Sequence, residues 1–127
     1  MRRIALAMVR ELLAVQGSCI VDGGWLDPDE ASALSAEYGA LFHPSFCGYH
    51  DANLECRLGV LKEAGRHWLT REPDDAALSF LVKQRADSET VRVGCGRLGM
   101  RYFDFTSFDA GFRALSDDFL LWLNAER

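Results

Sequence analysis

Residues 43–56, HPSFCGYHDANLEC, place His43, Cys47, His50 and Cys56 within fourteen positions. Imidazole nitrogens and thiolates are the ligands that zinc takes in a tetrahedral site, and compact knuckles can supply all four from a stretch this short. The spacing here is H-x3-C-x2-H-x5-C. It lacks the C-x2-C pair that marks structural zinc modules most dependably. The expectation is therefore a loop between helices with Phe46, Cys47 and Tyr49 tucked inward, and no metal or cofactor. Ser45, His50 and Asp51 could be assembled into a hydrolytic set on paper. There is no G-x-S-x-G elbow, however, and triad members normally converge from distant segments. His67, beside Trp68 late in an expected helix, is favourable there on electrostatic grounds alone. The chain does not read as an enzyme.

A second chemical pattern, GCGRLG at 94–99, matches G-x-G-x-x-G. Dinucleotide binding needs those glycines to follow a strand and open a helix, so that the helix N-terminus meets the pyrophosphate. The residues that follow, MRYFDF, instead have the composition of a strand. The pattern is read as a flexible turn between two strands.

Charge is distributed unevenly. Between Glu11 and Glu55 stand eight acids (Glu11, Asp22, Asp27, Asp29, Glu30, Glu37, Asp51 and Glu55) and no lysine or arginine. Residues 1–10 carry three arginines and residues 57–127 hold eleven acids against eleven bases, so this one segment accounts for the net charge of −5. Typical surfaces mix signs. A coherent negative field repels nucleic acid and anionic membranes while attracting a basic protein. Asp22, Asp27, Asp29, Glu30 and Glu37, with Trp25 among them, are the candidate partner-binding residues. Trp25 could serve as an interface anchor, since such sites favour tryptophan, or as a staple on the helix it precedes.

The elements that must position these residues are well punctuated. Ile4, Met8, Leu12 and Val15 form the stripe of an amphipathic first helix, ended by Gly17. SCIVD, 18–22, is a short strand candidate. Asp27 as N-cap, Pro28 at the first helical position and Glu30 closing a capping box open a second helix. Its apolar face is Ala31, Leu34, Tyr38 and Leu41, and His43-Pro44 ends it. Residues 51–69 fit a helical stripe of Leu54, Leu58, Leu61 and Trp68, although Leu54, Cys56, Leu58 and Val60 also alternate as a strand would. ALSFLVKQR (77–85), TVRVGCG (90–96) and MRYFDF (100–105) read as three strands, and their short connections imply antiparallel pairing. The last element is a helix with Thr106 and Asp109 at capping-box spacing. Its aromatic stripe of Phe108, Phe112, Leu115, Phe119 and Trp122 must be buried. The expected fold is α+β: a small antiparallel sheet of three to four strands with helices packed on it, including a long amphipathic C-terminal helix.

At 127 residues the chain suits one globular domain, 1–127, with a core that needs no covalent staples. The N-terminal run is interrupted by Arg10 and Glu11 before it reaches the length of a secretory signal, and no stretch approaches the roughly 20 apolar residues of a membrane span. The expected compartment is cytoplasmic. Its four cysteines are then read as free thiols, with Cys19 and Cys95 as small core residues.

The terminal FDFTSFDAGFRALSDDFLLWLNAE resembles the C-terminal end of many small bacterial immunity proteins of type VI and contact-dependent toxin systems, as do the size and acidity. The resemblance implies a cytosolic inhibitor that binds a cognate toxin or effector domain and covers or deforms its active site. Charge would steer that encounter. The implied protein is a monomer or weak dimer. The alternatives are an acidic effector chaperone or adaptor, and a zinc-binding regulatory module built on His43, Cys47, His50 and Cys56.

Overall fold

A computed structural model describes residues 2–15 and 17–125; Met1, Gln16, Glu126 and Arg127, and the side chain of Arg2, lie outside the described part. The described residues form five α-helices, α1 (Arg2–Ala14), α2 (Pro28–Tyr38), α3 (Leu54–Ala64), α4 (Asp74–Leu98) and α5 (Phe108–Ala125), and two strands, β1 (Ser45–Gly48) and β2 (Arg101–Asp104). The strands pair in parallel, with Ser45 opposite Arg101 and Gly48 opposite Asp104.

This corrects the expected α+β sheet. Residues 77–85 and 90–96 are not strands but the body of α4, a helix of 25 residues, and the ADSE segment between them is helical rather than a turn. The buried positions show why. Ala77, Leu81, Ser88 and Cys95 recur at spacings of four and seven, a stripe along one helix face. The β-branched and aromatic residues that suggested strands lie mostly off that stripe, where Val82 and Val93 are exposed. Local β-propensity gave way to tertiary packing. Only MRYFDF keeps its expected strand, as β2. Its partner β1 comes from the histidine–cysteine loop, and 18–22 forms no strand. Parallel pairing requires a long crossover, and α3 and α4 supply it.

Gly99 ends α4 at φ 67°, with its N–H on Cys95 O, and the Met100 N–H also reaches Cys95 O at 2.9 Å. This left-handed stop is glycine's usual role at a helix C-terminus. A Cβ on Gly94 would sit 3.2 Å from Pro28 Cγ, so that glycine marks the close approach of α4 to α2. The GCGRLG pattern is thus a helix end packed on a neighbouring helix, not a turn between strands.

Several other elements follow expectation. Asp27 caps α2 and forms the full capping box with Glu30, and Ala31 and Leu34 beneath it are fully buried. α3 is a helix, capped by Asn53, and a 3-10 turn at Trp68–Arg71 follows it. The main core joins Leu54, Leu58, Leu69, Ala77 and Leu81, flanked by Tyr49, Leu61, Leu78 and Phe80. α5 begins one residue later than expected: Ser107 Oγ accepts from Ala110 N, while the Thr106 hydroxyl donates to Asp104 instead of capping the helix. Its stripe is only partly buried, because a two-stranded ribbon is too small to receive all of it: Leu115 and Trp122 are half-buried, but Phe112 is 59% exposed. Cys95 is buried but Cys19 is exposed.

The core assignment predicts a contrast. Leu81→Ala should lower unfolding free energy in urea by about 2–5 kcal/mol through the cavity it leaves. Phe112→Ala should lower it by less than about 1 kcal/mol, the scale of a surface substitution.

Candidate protein-binding surface

Residues 17–27 run from α1 to α2 without regular structure. This loop presents an unusual set of side chains: Ile20 is 87% exposed, and Val21 and Trp25 are each more than half exposed. Trp25 turns back on Gly23, so closely that a Cβ there would lie 2.7 Å from the indole. Leu26, half-buried, holds the position directly before the cap. The result is an indole braced from one side and open on the other.

The six candidate residues divide into groups. Asp27 Oδ1 accepts from Glu30 N at 2.9 Å, and Glu30 Oε2 accepts from Asp27 N at 3.0 Å, so these two carboxylates serve the helix end. Asp29 meets Arg97 of α4 at 2.8 Å, and Glu37 meets Arg10 of α1 at 2.7 Å. Both pairs are largely exposed and add little stability, yet each places a cation beside an acid that looked uncompensated along the chain. The sequence separations are 68 and 27 residues, beyond the reach of local pattern. Asp22 stands apart from these pairs. It lies near Cys47 of β1, and its charge adds to desolvation in pushing that thiol's pKa up. The acids of 11–55 therefore do not act as one patch: two serve the helix end, two meet arginines, and Asp22 lies in the loop that carries Trp25.

His43, Cys47, His50 and Cys56 do not converge. The His43 ring stacks on Trp122 of α5 at 4.8 Å, and its Nε2 donates to Asp118 Oδ2 at 2.7 Å. Arg101 Nε donates to the other oxygen of Asp118 at 2.6 Å. His50 Nδ1 hydrogen-bonds the Tyr102 hydroxyl at 3.1 Å, across the ribbon. Cys47 and Cys56 are exposed. Among the described residues no three His, Cys, Asp or Glu side chains cluster as a metal would require. The strand explains the dispersal: His43 and His50 flank opposite ends of β1 and engage different partners. Ser45, His50 and Asp51 are likewise apart in role, with Ser45 paired to Arg101 in the ribbon and Asp51 exposed.

Comparison with protein-family models, curated proteins and solved structures finds no significant match to this chain.

Sequence reasoning missed the groups that hold the ribbon to the helices. Ser88, buried in α4, accepts from Tyr49 N through its Oγ at 3.2 Å. A Cβ on Gly48 would fall 2.5 Å from the Tyr102 hydroxyl and 2.8 Å from Ser88 Cβ, so β1 seats against α4 only because residue 48 has no side chain. The Arg57 guanidinium lies 3.6 Å over the Tyr49 ring and 4.6 Å from that of Phe108, and donates to Phe105 O at 2.9 Å. That stack ties α3 to the start of α5. No local signal could have joined partners 39 to 75 residues apart.

Two outcomes are expected. Asp22→Asn should speed alkylation of Cys47 by a pH-matched thiol reagent, because one cause of its raised pKa is removed and the thiolate is the nucleophile; Cys56 serves as the internal reference. The Asp104 carboxyl is pushed up by desolvation, but hydrogen bonds from Thr106 and the charges of His50 and Arg57 outweigh this and hold it below its ordinary value. A depressed carboxylate stabilises the fold above its unfolded pKa of about 4, and that stabilisation is lost as pH falls through the folded value. The stability gap between wild type and Asp104→Asn should therefore be widest near neutrality and shrink on acidification, followed by urea unfolding at several pH values.

Proposed function

We propose that this protein works by binding another protein through the 20–25 loop and the adjoining start of α2. The observation that supports this is Trp25, braced on Gly23 yet more than half exposed, with the exposed Ile20, Val21 and Asp22 beside it. A rigid indole surrounded by smaller apolar groups is the composition of an interface anchor, and the adjacent carboxylate favours a basic partner surface. The acids that sequence alone marked as one patch act unequally here. Asp22 is the steering charge, Asp29 and Glu37 pair with arginines, and Asp27 and Glu30 hold the helix end.

The resemblance of the C-terminal segment to small bacterial immunity proteins supplies the partner class: a toxin or effector domain with a basic face, neutralised in the cytoplasm by a stoichiometric inhibitor. No helix among the described residues is long and apolar enough to cross a membrane, which accords with this reading. A second reading, an effector chaperone or adaptor, draws on α5. Phe112, Leu120 and Leu121 there are exposed, and an open apolar surface suits a chaperone. The two differ in the state of the client, a folded toxin domain in the first and an unfolded or partly folded effector in the second.

The test is co-expression with a toxin domain encoded beside the gene. Protection of the host and a 1:1 complex with the folded domain are expected. Trp25→Ala should weaken binding about 30-fold or more, the scale of an interface anchor. Asp22→Lys should slow association chiefly at low ionic strength. Failure to protect, or full affinity in the Trp25→Ala variant, would sink the assignment of this loop.

A further inference from the structure

The first helix carries one broad apolar arc, and the structure covers only one edge of it. Leu6, Val9 and Leu13 are half-buried toward the body of the protein, and Arg10 on the flank is tied to Glu37. The stripe that sequence marked as the core face looks outward instead: Ile4 is 65% and Met8 61% exposed, with Leu12 and Val15 exposed as well. Arg3, Ile4, Ala7, Met8, Glu11 and Leu12 line a shallow open surface made by α1 alone. A helix of 13 residues gains little from its own hydrogen bonds and relies on packing for stability.

We infer that this outer face of α1 pairs with the same face of a second copy, antiparallel about a twofold axis at Ala7. The charges argue for this occupant. Arg3 stands four residues before Ala7 and Glu11 four residues after it. Antiparallel pairing centred on Ala7 sets each Arg3 level with the partner's Glu11, twice, as an isologous contact must. The same register places each Ile4 between the levels of Met8 and Leu12 on the opposite helix, at about 1.5 Å rise per residue. Ala7 at the crossing lets the helices approach closely. A parallel pairing would instead oppose Arg3 to Arg3 and Glu11 to Glu11. One helix per copy buries an area at the low end of specific interfaces, so the dimer is weak, with a dissociation constant on the order of micromolar. This inference is independent of the loop-binding reading above.

Charge exchange followed by sedimentation tests it. Wild type should shift from monomer to dimer between about 1 and 100 µM, the range that brackets a micromolar constant. Arg3→Glu and Glu11→Arg should each weaken self-association about tenfold, the scale of a few close charge reversals. An equimolar mixture of the two variants should regain it as a heterodimer, because every facing pair is then opposite in sign. Both substitutions suit the helix dipole, placing an acid near the N-terminus and a base near the C-terminus, so loss of dimer cannot be put down to melting of α1; circular dichroism checks this. A wild type that stays monomeric throughout, or a dimer indifferent to the single variants and to Met8→Glu, would overturn the inference.

Discussion

The structure depends on the continuity of α4. Its single buried stripe, Ala77, Leu81, Ser88 and Cys95, receives the other packed elements in turn. Near its N-terminal end lie Leu54, Leu58 and Leu69 of the main core. Ser88 in its middle takes the backbone of the ribbon at Tyr49, and Gly94 near its end admits Pro28 of α2. Two parallel strands of four residues have too little pairing to stand alone. The ribbon exists because a helix lies behind it, and it is parallel because that same helix carries the chain back.

One spine and a narrow ribbon limit how much apolar surface can be covered. The outer stripe of α1 and much of the aromatic face of α5 find no cover on the body, and the loop between α1 and α2 lies open. Exposed apolar surface on a small protein is more often a contact surface than an accident. Two of these regions, the loop and α1, are proposed recognition surfaces for different partners and are separable by mutation.

Electrostatics changed most between chain and fold. Along the sequence the acids of 11–55 stand alone; in space Arg10 and Arg97 return to two of them, and the capping box engages two more. Glu11, Asp22, Asp51 and Glu55 are left, on separate segments, and of these Asp22 lies in the loop with the apolar anchors. A similar exchange emptied the histidine–cysteine set of its apparent chemistry. His43 went to Asp118 and Trp122, and His50 went to Tyr102.

Features governed by neighbouring residues were legible in the chain: the Asp27–Glu30 box, Pro28 at the start of α2, the position of α5, and β2 within MRYFDF. These depend on hydrogen bonds and dihedral preferences spanning a few residues, which composition and spacing encode directly. The identity of α4 was not legible, because residues 77–96 alternate well enough to pass for two strands, and only burial shows that the stripe repeating at four and seven is the one used. The burial of α1 by Leu6, Val9 and Leu13 rather than Ile4, Met8 and Leu12 was equally hidden, since both stripes are apolar and the choice depends on what lies opposite. Sequence by itself determined where helices could begin and which residues carried charge. Tertiary structure alone decided which faces were covered and which charges were answered, because those depend on groups that meet only after the chain has folded.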